Sequence, residues 1–137
     1  MFSPVFRALM RRVYRDITAG DFRLIRAMTA DDATFVFPGS SSFGGTYHGR
    51  AEILAWLSRF AALHPRIDVL DVAASGPPWN TRVAVRFDDA IGGDYRNNVL
   101  EMCWIRWGKM RRLEVFLDTE RVTTWEQRHP ELTTATA

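Results

Sequence analysis

A single carboxylate, Asp118, closes the last predicted strand of this chain, in the run GKMRRLEVFLDT at 108–119. A carboxylate among rings such as Phe116 and Trp104 is poorly solvated, so its pKa rises toward neutrality and it can transfer protons. Strand alternation places Glu114 on the same face as Phe116 and Asp118. The alternative is structural, since Asp often ends a strand through a side-chain to backbone hydrogen bond.

A second polar set lies on the preceding strand, where alternation puts Asn97 and Glu101 on one face. An acid in the middle of such an apolar strand is either functional or paired with an arginine of the neighbouring strand, Arg86 or Arg82. Cross-strand pairing is the commoner outcome in sheets.

The elements that must position these residues follow from hydrophobic periodicity. Apolar residues recur at helical spacing before Gly20, again from Asp21 through Met28, and from Gly49 to Pro65. One short strand is predicted over 33–37, and from Ile67 onward the period changes to two. Three helices and four sequential strands, after the early strand, predict an α+β domain whose helices cover one face of a strongly bent sheet. We expect one domain over 1–128 and a flexible tail over 129–137.

Composition limits the class of protein. The chain has 137 residues, 47% hydrophobic and 25% charged, which is typical of a globular domain with its own core. The net charge is only +2, and the arginines of the first helix are spaced as its solvated side, so a nucleic-acid surface is not predicted. No apolar run is long enough for a membrane span.

The lone Cys103 lies in an apolar strand and is expected to be a buried structural thiol, which indicates a reducing, cytoplasmic location. Phosphate-binding glycine loops and a GxSxG elbow are missing from the sequence. The spacing of His48, His64 and His129 does not suit a metal site. We therefore predict neither metal nor cofactor.

The motifs AGD at 19–21, ADDATFVFPG at 30–39 and GTYHGRAEI at 45–53, with the 108–119 run, resemble the SnoaL-like branch of the NTF2-like superfamily. The resemblance covers about residues 5–122. It implies a cone of helices and curved sheet with a hydrophobic pocket at its open end, and a homodimer. Asp118 matches the acidic residue that serves as general acid/base in the polyketide cyclases of this family.

Further pocket residues follow from the resemblance and from strand alternation. Trp56 and Phe60 are expected to line or plug the cavity. His48 borders the pocket mouth but has the alternative of a bystander loop histidine, and Tyr14 that of a core tyrosine with a satisfied hydroxyl. The full predicted substrate-binding set is Tyr14, Phe37, His48, Trp56, Phe60, Arg86, Asn97, Glu101, Trp104, Glu114 and Phe116.

The ketosteroid isomerases share the ADDAT motif, but differences at their catalytic positions argue against the same set of catalytic residues in this chain. Their base lies where this chain has Phe37, their helix tyrosine falls by spacing at Val13, and their second acid falls at or next to Leu100. Asp118, Arg86 and Glu101 could form a catalytic set similar to that of the epoxide hydrolases.

Two functions are predicted as alternatives. One is a cofactor-independent acid/base enzyme of cyclase, isomerase or hydrolase type, acting on an apolar or aromatic carbonyl-bearing metabolite. The other is a non-catalytic module that binds a hydrophobic ligand or dimerises through the outer sheet face. A ligand-sized void favours the first, and a cone filled by Trp56, Phe60 and Trp104 favours the second.

Overall fold

The computed structural model describes residues 3–134 and the side chains of residues 4–132. In chain order its elements are α1 (Ser3–Thr18), α2 (Arg23–Met28), β1 (Thr29–Phe37), β2 (Gly45–His48), α3 (Arg50–Ala61), β3 (Arg66–Ser75), β4 (Thr81–Ile91), β5 (Tyr95–Arg106), β6 (Lys109–Phe116), α4 (Thr119–Arg128) and α5 (Pro130–Thr134). Among these described helices none is long and apolar enough to cross a membrane.

The strands form one six-stranded sheet in the order β2-β1-β6-β5-β4-β3. The β1 and β6 strands pair in parallel, whereas every other neighbouring pair is antiparallel. The predicted α+β class with a curved mixed sheet is confirmed. Helices α1, α2 and α3 precede β3, and β1 and β2 separate the third helix from the first two.

The core lies between the helices and one face of the sheet. On α1 the buried side chains are Met10, Val13 and Ile17, three or four residues apart, which is the spacing of one helix face. This helix packs against β3, and α3 packs against β1. The alternation of buried and exposed residues along β4 and β5 means that each strand sends every second side chain into this core.

Strand β2 and helix α4 were not predicted, and neither was the short helix α5 in the expected tail. Strand β2 has only four residues and buries none of them, so it carries no hydrophobic signal. Helix α4 begins immediately after Asp118 and buries Val122 and Trp125, so the strand predicted to continue to 119 ends at Phe116 instead. The β1 strand also begins earlier than predicted, at Thr29.

The segment expected to form a flexible tail contains contacts to the domain. His129 has Nε2 at 2.7 Å from Oδ2 of Asp94, in the turn between β4 and β5. The ring of His129 also lies 4.9 Å from that of Trp125. The short helix α5 follows, and residues 135–137 of the predicted tail lie outside the described part of the chain. His129 therefore belongs to the packed domain.

Candidate active site

Helices α1, α3 and α4 and the inner face of the sheet enclose a cavity of about 120 Å³. Its lining is almost entirely apolar and rich in aromatic rings, which are Tyr14, Phe35, Phe37, Phe43, Trp56, Phe60, Phe87, Tyr95 and Trp125. A dry cavity of about 150 Å³ in another protein accepts benzene. The cavity therefore has the size of a single-ring molecule, and the rings of the cone do not fill it completely.

The polar centre of the cavity is a hydrogen-bonded pair formed by Tyr14 and Glu101. The phenol of Tyr14 donates to Oε1 of Glu101. Tyr14 extends from the inner side of α1, and Glu101 lies in the middle of β5, opposite Val85 in register. Only 5% of Glu101 is exposed. The bond engages Oε1, one of the two carboxylate oxygens.

Burial gives Glu101 the protonation behaviour of a neutral-pH acid/base. Loss of hydration raises its pKa to about 7, the hydrogen bond from Tyr14 opposes that rise, and the charge of Asp89 adds to it. The pKa of Tyr14 is raised well above its ordinary value, first by burial and then by the neighbouring Glu101 charge. Tyr14 therefore stays a neutral donor while Glu101 changes charge near pH 7.

The expected pairing of Glu101 with an arginine is wrong. Arg82 and Arg86 alternate onto the outer face of β4, opposite Trp104 and Leu100. Arg82 lies 5.5 Å from the ring centroid of Trp104, and Arg86 donates to Oδ1 of Asn98 at 3.2 Å. A side chain on the outer face cannot reach a carboxylate on the inner face of the same sheet.

Asp118 is not in the cavity, which corrects its predicted placement. Its carboxylate caps α4 by accepting from the backbone amides of Glu120 and Arg121 at 3.1 and 3.3 Å. It also pairs with the Arg121 guanidinium at 3.3 Å, and 52% of its side chain is exposed. This is the structural alternative that the sequence left open.

The strand face that carries the predicted acid points outward. Glu114 pairs with Arg112, and Phe116 is 50% exposed. The opposite face of the same segment, with Leu113, Val115 and Leu117, lines the cavity instead. Trp104 and Arg86 likewise lie on the outer face, so four of the predicted substrate-binding residues are outside the cavity.

His48 also lies away from the cavity. It is exposed at the end of β2, and its backbone amide donates to Oε1 of Glu52 at 3.2 Å. The predicted position at a pocket mouth is not found, because β2 is the outermost strand of the sheet.

Asn97 is buried, but its side chain bonds to the backbone of Asp118 and does not line the cavity. Its Nδ2 donates to the backbone oxygen of Asp118 at 2.9 Å and to the Tyr95 hydroxyl at 3.0 Å. Its Oδ1 accepts from the Asp118 amide at 3.2 Å. Asn97 therefore fixes the junction between β6 and α4.

The remaining predicted residues do line the cavity: Tyr14, Phe37, Trp56, Phe60 and Glu101. The indole of Trp56 donates to the backbone oxygen of Phe43 at 3.0 Å, which fixes its ring against Phe35 and Phe60. Buried Cys103 is a further lining residue, and its predicted burial as a free thiol is confirmed.

The sequence analysis missed Asp89. It is 6% exposed on the inner face of β4, it lines the cavity, and its Oδ1 has no hydrogen-bond partner among the described residues. Burial raises its pKa to about 7, its own backbone amide opposes the rise, and Asp88 adds to it. Alternation from Val83 through Val85 and Phe87 places Asp89 on the same, inward face.

A curved sheet closed by helices around an apolar cavity defines the class of cone-shaped α+β proteins to which the NTF2-like folds belong. The chain belongs to the SnoaL-like domain family, whose model matches residues 10–113. No curated protein matches the sequence.

Solved structures share the fold at low identity. A steroid delta-isomerase from Pseudomonas aeruginosa has a TM-score of 0.68 at 16% identity, covering 94% of this chain and 93% of that chain. An NTF2-like protein from Burkholderia xenovorans has a TM-score of 0.63 at 16% identity, covering 85% and 92%. A de novo designed protein with a curved β-sheet has a TM-score of 0.66 at 17% identity, covering 88% and 94%. Since a designed protein shares the fold, function must be argued from the cavity.

Proposed function

We propose that this protein is a cofactor-independent acid/base enzyme of isomerase or cyclase type, acting on a compact, apolar, carbonyl-bearing metabolite. The observation that carries the proposal is the Tyr14–Glu101 pair, buried in an otherwise apolar cavity of single-ring size. Glu101 is the proposed catalytic residue, and Tyr14 positions its carboxylate.

The chemistry follows from the protonation states. Ionised Glu101 removes a proton from the carbon next to the substrate carbonyl, so the C–H bond breaks and an O–H bond forms on Glu101. The C–H electron pair forms a C=C bond and the carbonyl π pair moves onto oxygen. Tyr14 loses its anionic partner at that moment and can donate to the new oxyanion. Returning the proton to another carbon completes an isomerisation. Alternatively, the enolate carbon attacks a second carbonyl, whose π pair moves onto its oxygen, and return of the Glu101 proton to that alkoxide completes a cyclisation.

The SnoaL-like family and a structural neighbour named as a steroid delta-isomerase support this reaction class. The position before the proline, where the ketosteroid isomerases carry their base, is Phe37 in this chain. By spacing, the helix tyrosine and the second acid of the ketosteroid isomerases fall at Val13 and next to Leu100. In this chain the hydrogen-bonded residues are Tyr14, which follows Val13, and Glu101, which follows Leu100. The proposed base is therefore Glu101 itself.

The test is deuterium exchange into the methyl group of acetophenone in D₂O at pH 7, followed by proton NMR. Wild type should accelerate the exchange over buffer, and Glu101→Gln should lose at least about 100-fold of that acceleration, as removal of a general base does. Glu114→Gln is the matched control, because Glu114 is an acid on the outer face. Undiminished exchange in Glu101→Gln would show that Glu101 is not the base.

A second candidate, dimerisation through the outer sheet face, is favoured by its exposed apolar residues. Leu100 and Phe116 are neighbours in register on β5 and β6 and are 41% and 50% exposed. Burying such a patch in a homodimer would be favourable. We propose a homodimer on this face, and light scattering should give twice the 15.7 kDa monomer mass for wild type and a monomer for Leu100→Glu. A wild type that is monomeric would contradict it.

The proposed location is cytoplasmic. The buried, unpaired Cys103 is consistent with a reducing compartment.

A further inference from the structure

The inference concerns the wall of the cavity at Asp89, on the strand next to Glu101. Asp89 contributes to two spaces at once: the apolar cavity and an outer cleft of about 730 Å³. The charged residues of that cleft are Arg66, Asp68, Asp88, Arg96, Asp118 and Arg121. Asp89 is therefore the place where the apolar interior meets the charged exterior.

The hydrogen bonding of Asp89 is incomplete. Oδ1 is buried and has no partner among the described residues. Leaving a buried carboxylate oxygen unpaired costs about 1–3 kcal/mol or more, so native proteins rarely keep one without use. An apolar side chain of similar size would avoid that cost. A retained, unpartnered acceptor in a cavity wall indicates that a ligand supplies the missing donor.

We propose that Asp89 binds a hydroxyl group of the ligand whose carbonyl reaches the Tyr14–Glu101 pair. This rests on the proposed function and names its substrate class as a single-ring hydroxy-carbonyl compound. Both carboxyls belong to the inner face of adjacent strands.

The spacing of the two acids sets the shape of the ligand. Asp89 lies opposite Asn97, and Glu101 follows Asn97 by four residues on β5. Four residues of strand span roughly 13 Å along the backbone, and both acids line the cavity. A six-membered ring with a hydroxyl and a carbonyl substituent at opposite positions therefore offers one oxygen to each acid. Larger fused rings exceed a cavity of about 120 Å³.

A hydroxyl suits Asp89 better than an ammonium group. A hydroxyl both donates and accepts, so it can pair with the carboxylate and with the neutral acid. The pKa of Asp89 is raised to about 7 by burial, so both forms are populated near neutral pH. An ammonium would have to lose its hydration among aromatic rings and could pair only with the ionised form.

The test compares two probes that differ by one group of similar size, 4′-hydroxyacetophenone and 4′-methylacetophenone, by isothermal titration calorimetry. Wild type should bind the hydroxy compound about tenfold more tightly. Asp89→Leu should lose that preference and still bind the methyl compound, whereas Asp89→Asn, which keeps an acceptor, should retain part of it. Asp88→Ala, on the outer face of the same strand, is the matched control.

Equal affinity of wild type for the two probes, or a preference that persists in Asp89→Leu, would overturn the inference and leave the role of Glu101 intact. Folding of Asp89→Leu is verified by circular dichroism, and loss of an unpartnered buried carboxylate should raise its Tm. Failure of the proposed function gives a different pattern, in which Glu101→Gln retains full deuterium exchange whatever the outcome at Asp89.

Discussion

The phenol of Tyr14 on α1 donates its hydrogen bond to Oε1 of Glu101 on β5, joining residues 87 positions apart in the chain. The bond lowers the pKa of Glu101 against the larger effect of burial. Helix α1 is therefore connected to the proposed proton-transfer group as well as to the core.

Removing that bond should shift the pH dependence of the reaction. In Tyr14→Phe the pKa of Glu101 should rise further above about 7, because the ionised form loses the hydrogen bond that Tyr14 donates. A rise of one pKa unit would reduce the ionised fraction at pH 7 about fivefold and move the acidic limb of the rate profile to higher pH. The pH profile of acetophenone exchange measures this.

Tyr47→Phe provides the control for that substitution, since the Tyr47 hydroxyl donates to the backbone oxygen of Phe43 and does not contact Glu101. A Tyr14→Phe profile that superimposes on wild type would mean that the bond does not influence proton transfer.

The two buried acids should make the protein less stable as the pH rises toward 8. Burial raises the pKa of Glu101 from 4.5 and of Asp89 from 3.8 to about 7. Between those values the native state holds protons that the unfolded state has lost, so the free energy of unfolding falls with rising pH until both groups ionise near pH 7. The expected loss is on the order of 3 kcal/mol for each carboxyl.

Urea unfolding at pH 5 and pH 8 checks this expectation. The double variant Glu101→Gln/Asp89→Asn should show a much smaller decrease over the same range, because neither amide titrates. His129 titrates in both proteins and cancels in the comparison. A double variant with the same decrease as wild type would place the titrating groups elsewhere.

Asp118 should matter for stability and not for catalysis. Asp118→Ala removes the N-cap of α4 and should cost about 1 kcal/mol, whereas Asp118→Asn, which also caps helices, should cost much less. Acetophenone exchange per folded molecule should be unchanged in both. Loss of exchange in a fully folded Asp118→Asn would restore the chemical role first predicted for this residue.

The segment that follows α4 should contribute measurably to stability. His129 pairs with Asp94 and packs on Trp125. Truncation after Arg128 should therefore lower the Tm, but by less than Asp118→Ala, because the pair is partly exposed. Calorimetric melting of the truncated chain measures the difference, and an unchanged Tm would mean that the contacts are dispensable.

The fold class followed from hydrophobic periodicity because core-facing residues must recur at the period of their element. The helical repeat of α1 and the alternation in β4 and β5 could both be recognised in the sequence. The burial of Cys103 was predicted from its apolar neighbours. Strand β2 was missed because a short, exposed strand has no such repeat. Helix α4 was not predicted because Asp118, its N-cap, is a residue type that is also common at the end of a strand.

The candidate site was also predicted only in part from the sequence. Residue types indicated that a carboxylate in an apolar surrounding would be the chemical group. The family resemblance added Tyr14, Trp56 and Phe60 as pocket residues, and all three line the cavity. Alternation grouped Glu114 with Phe116 and Asp118, but a period of two says only which residues share a face, not which face is inside.

That assignment depends on long-range packing, which no local pattern contains. The chain by itself determined an α+β cone with an ionisable group among aromatic rings. Only the tertiary structure decided that the group is Glu101 and not Asp118, because the fold brings Tyr14 of helix α1 to the Glu101 carboxylate and leaves Asp118 as the N-cap of α4. The tertiary structure also buried Asp89, whose Oδ1 has no hydrogen-bond partner among the described residues.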